Sequence, residues 1–397
     1  MVAFPIPSGQ QLSILTIYVA IWIFITVAWW AVKGERFGIT GLPLYAIWRT
    51  TRLNNWIKRI AETSRTAWRI VWNLGVATGF GMMSYITYQL AKNLVNLFIK
   101  SPQATSIQPI IPVPGIGVSF ETFPYLVLAL SVVVITHELS HGIASLVDQV
   151  PLKSTGAFFA HVLMGGFVEP NEEELSKSKN ITKLRVFAAG SYTNVVLGVL
   201  FTLLLVNFSV TITPFYNVAQ SGVSIGSIAP KLPANSTGLQ AGDILTNING
   251  TSIPGIDDLR NYMSRVKPGE VVVLQTNRGA FSVKTAPDPA NATHALIGIG
   301  GLTNNVVYQP RFALLPSELP PVLFHAEFWL SIVLVSVAMI NMLPIYPFDG
   351  DKFLETALNV IGIKRTKEIR TAANAVAYSL LLLNIGFSLL QFGFMRL

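Results

Sequence analysis

The chain has no cysteine among its 397 residues. That excludes a disulfide framework and any metal site built on thiolates. A metal would have to be held by histidine and carboxylate, and only five histidines are present. Charge is scarce as well: 12% of residues are Asp, Glu, Lys or Arg, against roughly a quarter in soluble domains. Hydrophobic residues make up 51% and the mean hydropathy is +0.52, a combination that points to an integral membrane protein. Acidic residues are outnumbered, giving a net charge of +8. No nucleic-acid motif accompanies that excess, so the basic residues are assigned to cytoplasmic loops and no nucleic-acid partner is expected. The first residues have no charged stretch and no small-residue cleavage site, so no removable signal peptide is expected.

What is abundant is long apolar runs. A span needs about 20 mostly apolar residues, and six candidates occur: 12–33, a stretch within 68–99 interrupted by Gly75, Gly79 and Gly81, then 122–147, 186–212, 322–346 and 373–395. Lys and Arg set the orientation. Eight lie in 33–69, five in 148–185 and five in 347–371, whereas 100–121 has only Lys100. These counts predict both termini outside, those three loops in the cytoplasm, and the 213–321 segment outside.

The 213–321 segment is polar and rich in Gly and Pro. GLQAGDILTNINGTSI (238–253) and KPGEVVVLQTNRG (267–279) flank a short helix-like DDLRNYMSRV (257–266). Short strands around such a helix make a compact α+β module. The ordered signals resemble a PDZ domain, which implies binding of an extended peptide or carboxy-terminal tail.

One apolar run contains HELSH, residues 137–141. On a helix, His137 and His141 share a face and reach one metal ion, with Glu138 beside them as general base. Ionisable residues inside a span are costly and mark function. A catalytic zinc site takes three protein ligands and a water. His294 falls in the external module and His325 at the outer end of its span; His161 lies in a glycine-containing stretch just after the motif. The best third ligand is Asp349, in NMLPIYPFDGDKF (341–353). The loop charges put it at the depth of HELSH, and Pro344 and Pro347 break any helix there.

HELSH in a span, the Asn341-to-Gly350 stretch near a later span, the motif Gly190-Ser-Tyr-Thr-Asn194 and a PDZ-like insert together resemble the site-2 protease family of intramembrane zinc metalloproteases. Ser191 departs from the family's proline, Phe348 from its leucine and Asp351 from its second glycine. The resemblance spans about 122–371. It implies one Zn²⁺ per chain on His137, His141 and Asp349, and Glu138 as acid/base. It also implies Asn194 and Asn341 at the site, holding substrate or its oxyanion; in a span, each asparagine could equally serve helix–helix hydrogen bonding. LKSTGAFFAHVLMGGFVEP (152–170) resembles the family's membrane-associated β-hairpin, whose edge would pair with substrate.

The expected architecture is a polytopic α-helical membrane protein of about six spans with a β-hairpin and an inserted PDZ-like domain. Its parts are 1–121 (two spans and a basic loop), 122–212 (the catalytic core), 213–303 (the PDZ-like domain) and 304–397 (the DG motif and last helix). The expected partners are membrane-anchored protein substrates, a peptide at the PDZ-like domain and the bilayer. The alternative is a non-proteolytic scaffold with a structural metal.

Overall fold

The structure is a computed structural model that describes residues 16, 20, 23–31, 39–40, 45–115, 117–160, 163–289 and 291–395. The chain divides into two compact units, one formed by 1–206 with 324–397 and the other by 207–323.

The first unit is mainly helical. Helix α1 is described over residues 23–31. Strands β1 (Ile39–Thr40) and β2 (Tyr45–Thr50) lead into α2 (Arg52–Glu62), α3 (Arg65–Phe98) and α4 (Phe123–Val147). Strands β3 (Leu152–Ala160) and β4 (Leu163–Pro170) follow, then α5 (Glu172–Lys177) and α6 (Asn180–Val206). The antiparallel sheet runs β1-β2-β3-β4, with β4 at one edge. Here the hairpin expected at 152–170 forms, extended by β1 and β2 from a loop that carried no strand signal in its charges. His161 lies outside the described residues.

Four described helices are long and apolar enough to cross a membrane: α4, α6, and the later α9 (Leu319–Asn341) and α11 (Thr366–Phe392). The expected span 12–33 lies largely outside the described residues. The one expected within 68–99 is an unbroken 34-residue helix, α3, and does not reach that apolar standard. Its glycines do not interrupt it. Gly75 faces the Tyr192 ring and Gly79 faces Met342 and Phe353, where an added Cβ would sit 3.2 Å from each neighbour. Glycine costs helix propensity but lets a neighbouring element pack close.

The core of this unit joins the elements that carry the site. Ile143, Ala144 and Val147 of α4 pack with Val186 and Ala189 of α6 and Trp72 of α3. Ala188 of α6 packs with Ala338 of α9, with Met342 just after that helix and with Phe353 of the short helix α10 (Asp349–Val360).

The second unit begins with α7 (Phe208–Ile212) and contains β5 (Tyr216–Ser224), β6 (Ser227–Ile228), β7 (Ile244–Ile248), β8 (Thr251–Ser252) and α8 (Ile256–Met263). Strands β9 (Val271–Thr276), β10 (Gly279–Lys284), β11 (Ala286–Asp288), β12 (Asn291–Leu296), β13 (Ile299–Gly300) and β14 (Thr303–Pro310) complete it. The main sheet has the order β10-β9-β7-β5-β14. In β9, Val272 and Leu274 point inward with Leu245, Ile248 and Leu259, while Val271 and Val273 face out. This is the two-residue alternation of a half-buried strand. Burying each of these leucines contributes roughly 1.5–3 kcal/mol.

Candidate functional site

Helix α4 forms although VVVIT (132–136) is β-branched and weakly helix-prone. In an apolar setting, a helix satisfies every backbone group internally. Its 3.6-residue repeat then stacks His137 and His141 on one face, with ring centroids 4.7 Å apart.

Asp349 arrives from the opposite side. Helix α9 ends at Asn341, and the stretch Met342–Phe348, with a cis Tyr346–Pro347 bond, turns the chain before α10 starts at Asp349. The turn is tight enough that a Cβ on Gly350 would lie 2.3 Å from the Leu343 carbonyl oxygen. Only glycine fits there.

These elements bring three ligand atoms together. The Nε2 atoms of His137 and His141 each lie 3.0 Å from Asp349 Oδ2, and 3.1 Å from one another. All three side chains are mostly buried, at 12%, 10% and 21% exposure respectively. His141 Nδ1 is 2.6 Å from the Val186 carbonyl oxygen of α6, to which it donates its proton. That leaves a lone pair on Nε2, facing the lone pairs of its neighbours. A cation at their centre removes the repulsion. Four-coordinate bonds of 2.0–2.1 Å place ligand atoms about 3.3 Å apart, close to the separations here. The donor set therefore fits zinc on geometry and chemistry. Among the described residues, this is the group of histidines and carboxylates able to share an ion.

Glu138 lies beside this cluster and lines the same cavity, of about 410 Å³. Its Oε2 accepts a hydrogen bond of 3.3 Å from the Val168 backbone N–H. Two asparagines complete the surroundings. Asn341 Nδ2 donates to Asp349 Oδ2 at 2.7 Å and lies 3.1 Å from His137 Nε2. Asn194, fully buried on α6, has its carboxamide 3.2 Å from His137 Nδ1 and 3.0 Å from Thr136 Oγ1.

The sequence candidates thus separate cleanly. His137, Glu138, His141, Asn194, Asn341 and Asp349 are brought together from four helices. His325 lies elsewhere on α9, stacked on Tyr125 at 5.4 Å, and His294 sits on β12 of the second unit. The sequence reading missed Val168 and Val186, which act through backbone atoms and so carry no residue-type signal. It also missed Gly190 as a contact: an added Cβ there would lie 2.5 Å from His137 Cε1.

A comparison with family models matches residues 125–384 to peptidase family M50. The chain belongs to this family. Every residue of the site falls within the match.

Relatives of this M50 chain include an uncharacterized protein of Methanocaldococcus jannaschii, 25% identical over 227 residues that cover 56% of this chain and 54% of that protein. Another is the membrane-bound transcription factor site-2 protease homolog of Arabidopsis thaliana, 25% identical over 142 residues, covering 35% of this chain and 27% of that one. A third, from Nostoc sp., is named provisionally as a zinc metalloprotease, with 28% identity over 217 residues and coverage of 46% and 58%. The matches thus take in about a quarter to three fifths of these relatives' lengths. Among solved structures, the PDZ domain of the SdrC-like protein from Listeria monocytogenes is similar at 26% identity, over 21% of this chain and 88% of that one, with a TM-score of 0.19. By family the chain is a peptidase of family M50, and four of its described helices are long and apolar enough to cross a membrane.

Proposed function

We propose that the protein is a zinc-dependent endopeptidase that cuts membrane-anchored proteins within or beside their spanning segments. The observation that carries this is the convergence of His137 Nε2, His141 Nε2 and Asp349 Oδ2 beside Glu138, in a cavity that also meets β4.

In this reading His137, His141 and Asp349 hold one zinc ion. Bound there, zinc supplies a Lewis acid for the scissile carbonyl and a water of lowered pKa. The protein's own residues do the rest. Glu138, steadied by the Val168 N–H, takes a proton from the attacking water and returns it to the leaving amine. Asn341 stands beside His137 and Asp349, placed to donate to a substrate oxygen. Asn194 belongs to His137 instead. The single Thr136 hydroxyl proton goes to the Val132 carbonyl at 2.8 Å. A half-turn of the Asn194 carboxamide keeps every heavy-atom distance. Its nitrogen then donates to Thr136 and its oxygen accepts from His137 Nδ1–H. That tautomer leaves His137 Nε2 free to ligate.

A substrate helix hides its carbonyls in its own hydrogen bonds and must unwind to be cut. Strand β4 is the edge of its sheet and lines the site cavity with Phe167, Val168 and Glu169. The groups of that edge other than the Val168 N–H supply replacement hydrogen bonds to an extended substrate. We further assign six spans with both termini and the PDZ-like unit outside, on the Lys and Arg distribution. The PDZ-like unit is assigned to bind an extended peptide or carboxy-terminal tail.

The test is cleavage of a model transmembrane substrate in detergent by wild type and Glu138→Gln, with zinc measured on both. Loss of about 10²-fold or more in the variant, with zinc retained, is expected. A wild type that binds zinc yet cuts none of several helical substrates would sink the protease reading and favour a scaffold.

A further inference from the structure

The site residues leave one feature unexplained: a polar stripe on the last helix. Arg370, Asn374 and Tyr378 follow at intervals of four on α11, so they share one face. All three bond to the stretch that carries Asp349. The Tyr346 N–H donates to Asn374 Oδ1 at 2.8 Å, and the Tyr378 hydroxyl donates to the Tyr346 carbonyl oxygen. On the other side of Asp349, the Asp351 carboxylate is fully buried. Its Oδ1 accepts from Arg370 Nε at 2.7 Å and from Asn374 Nδ2 at 2.8 Å. Its Oδ2 accepts from a second guanidinium nitrogen of Arg370. Arg370 also reaches Glu355, one turn further along α10, at 2.8 Å.

Asp349 is thus bracketed. Three residues before it and two after it, the chain is tied to the same helix face. Asp349 itself contributes no bond to α11; its carboxylate is turned to His137, His141 and Asn341. A buried charge pair is expensive and rarely stabilises more than apolar packing would. Its use here is geometric. The bidentate guanidinium fork fixes α10 at its first turn, and the first residue of that turn is the ligand.

We infer that α11, through Arg370, Asn374 and Tyr378, is the positioning element for Asp349. This rests on the zinc reading above. None of the three residues lines the site cavity; the helix sets where the third ligand stands. A displacement of α11 along its axis would carry the ligand with it, which makes the last span a part of the metal site.

A control lies on the same helix. Asn384 is fully buried, donates to the Leu90 carbonyl of α3 at 2.9 Å and accepts from Asn93 at 2.9 Å. Its hydrogen bonds dock α11 on α3 and none goes to the 346–351 stretch; it lies about 15 Å along the axis from Asn374. The experiment is competition for zinc between a chromogenic chelator and the full-length protein in detergent. Wild type is compared with Arg370→Gln, Asn374→Leu, Tyr378→Phe and Asn384→Leu, and each metal-free fold is checked by circular dichroism. Arg370→Gln and Asn374→Leu are expected to weaken zinc binding about 10-fold or more, Tyr378→Phe by less, and Asn384→Leu not measurably. Should Arg370→Gln misfold, Asn374→Leu and the milder Tyr378→Phe decide. Zinc held equally by wild type and all stripe variants overturns this inference alone. So does an Asn384→Leu effect as large as that of Asn374→Leu, since general docking would then explain it. A wild type that holds no zinc overturns the metal reading and this one with it.

Discussion

Gly190 of α6 lies flat against the imidazole of His137: a Cβ placed on it would meet Cε1 at 2.5 Å and both ring nitrogens at 2.6 Å. The glycine that opens the Gly190-to-Asn194 motif is therefore a steric requirement of the ligand four residues before the second histidine. An imidazole is rigid, so the added methyl must push the ring or the helix by nearly an ångström. Gly190→Ala is expected to lower kcat/KM about 10²-fold, the usual scale for a misplacement of that size. Zinc titration should show weaker binding with secondary structure intact.

Asn194 and Thr136 give a test of the His137 tautomer. If the Asn194 oxygen accepts from His137 Nδ1–H, a carboxylate can replace it. Asn194→Asp should then retain zinc, whereas Asn194→Leu should weaken zinc binding about 10–100-fold. Equal loss in both variants would mean that the carboxamide nitrogen faces the ring. The comparison is made by chelator competition on the two purified variants.

Just beyond the HELSH helix, Asp148 collects Arg185 at 2.8 Å, Arg69 at 2.9 Å and Thr182 at 3.1 Å. It thereby ties the ends of α3, α4 and α6. Burial works to raise its carboxyl, but the hydrogen bonds from Arg185 and Arg69 outweigh that and hold it below the usual carboxylate range. Asp148→Asn would strand the mostly buried Arg185. Breaking a buried pair costs about 3–5 kcal/mol, and the half-exposed Arg69 argues for the low end. The melting temperature in detergent should fall clearly, with zinc still bound at the start of the melt.

Much of this site is legible in the sequence. HELSH announces itself because helix spacing alone aligns the two histidines. Asp349 is legible because prolines stop the helix before it and the loop charges set its depth. The hairpin at 152–170 is legible through its resemblance to the hairpin of the site-2 protease family. Other parts were hidden for physical reasons. Strands β1 and β2 lie in a stretch whose arginines read as a solvated loop, yet Arg49 pairs with Thr40 across the strands. Helix α3 reads as broken because glycine lowers propensity, while close packing on Tyr192 and Phe353 is what the glycines serve. The Arg370, Asn374 and Tyr378 stripe looks like an ordinary juxtamembrane end. Its partners are two backbone atoms of Tyr346, a buried Asp351 and Glu355, none of which sequence spacing can pair with it.

In the 207–323 unit, Asp243 offers a pH test that is independent of the metal. Its side chain is 2% exposed and paired with Arg278, and it accepts from the Gln240 N–H at 2.9 Å. The Arg278 hydrogen bond, opposed by burial and aided by Gln240, lowers its carboxyl from the ordinary 3.8. A depressed carboxyl stabilises the folded state above the unfolded pKa, and that contribution fades as pH falls through the folded value. Asp243→Asn removes the titration. The stability gap between wild type and Asp243→Asn should be constant from neutral pH to about 5 and then shrink as the pH falls below about 4. Thermal unfolding of this unit, followed by proteolytic susceptibility across that range, reads the gap. A gap independent of pH would mean that the Asp243–Arg278 pair contributes through packing rather than charge.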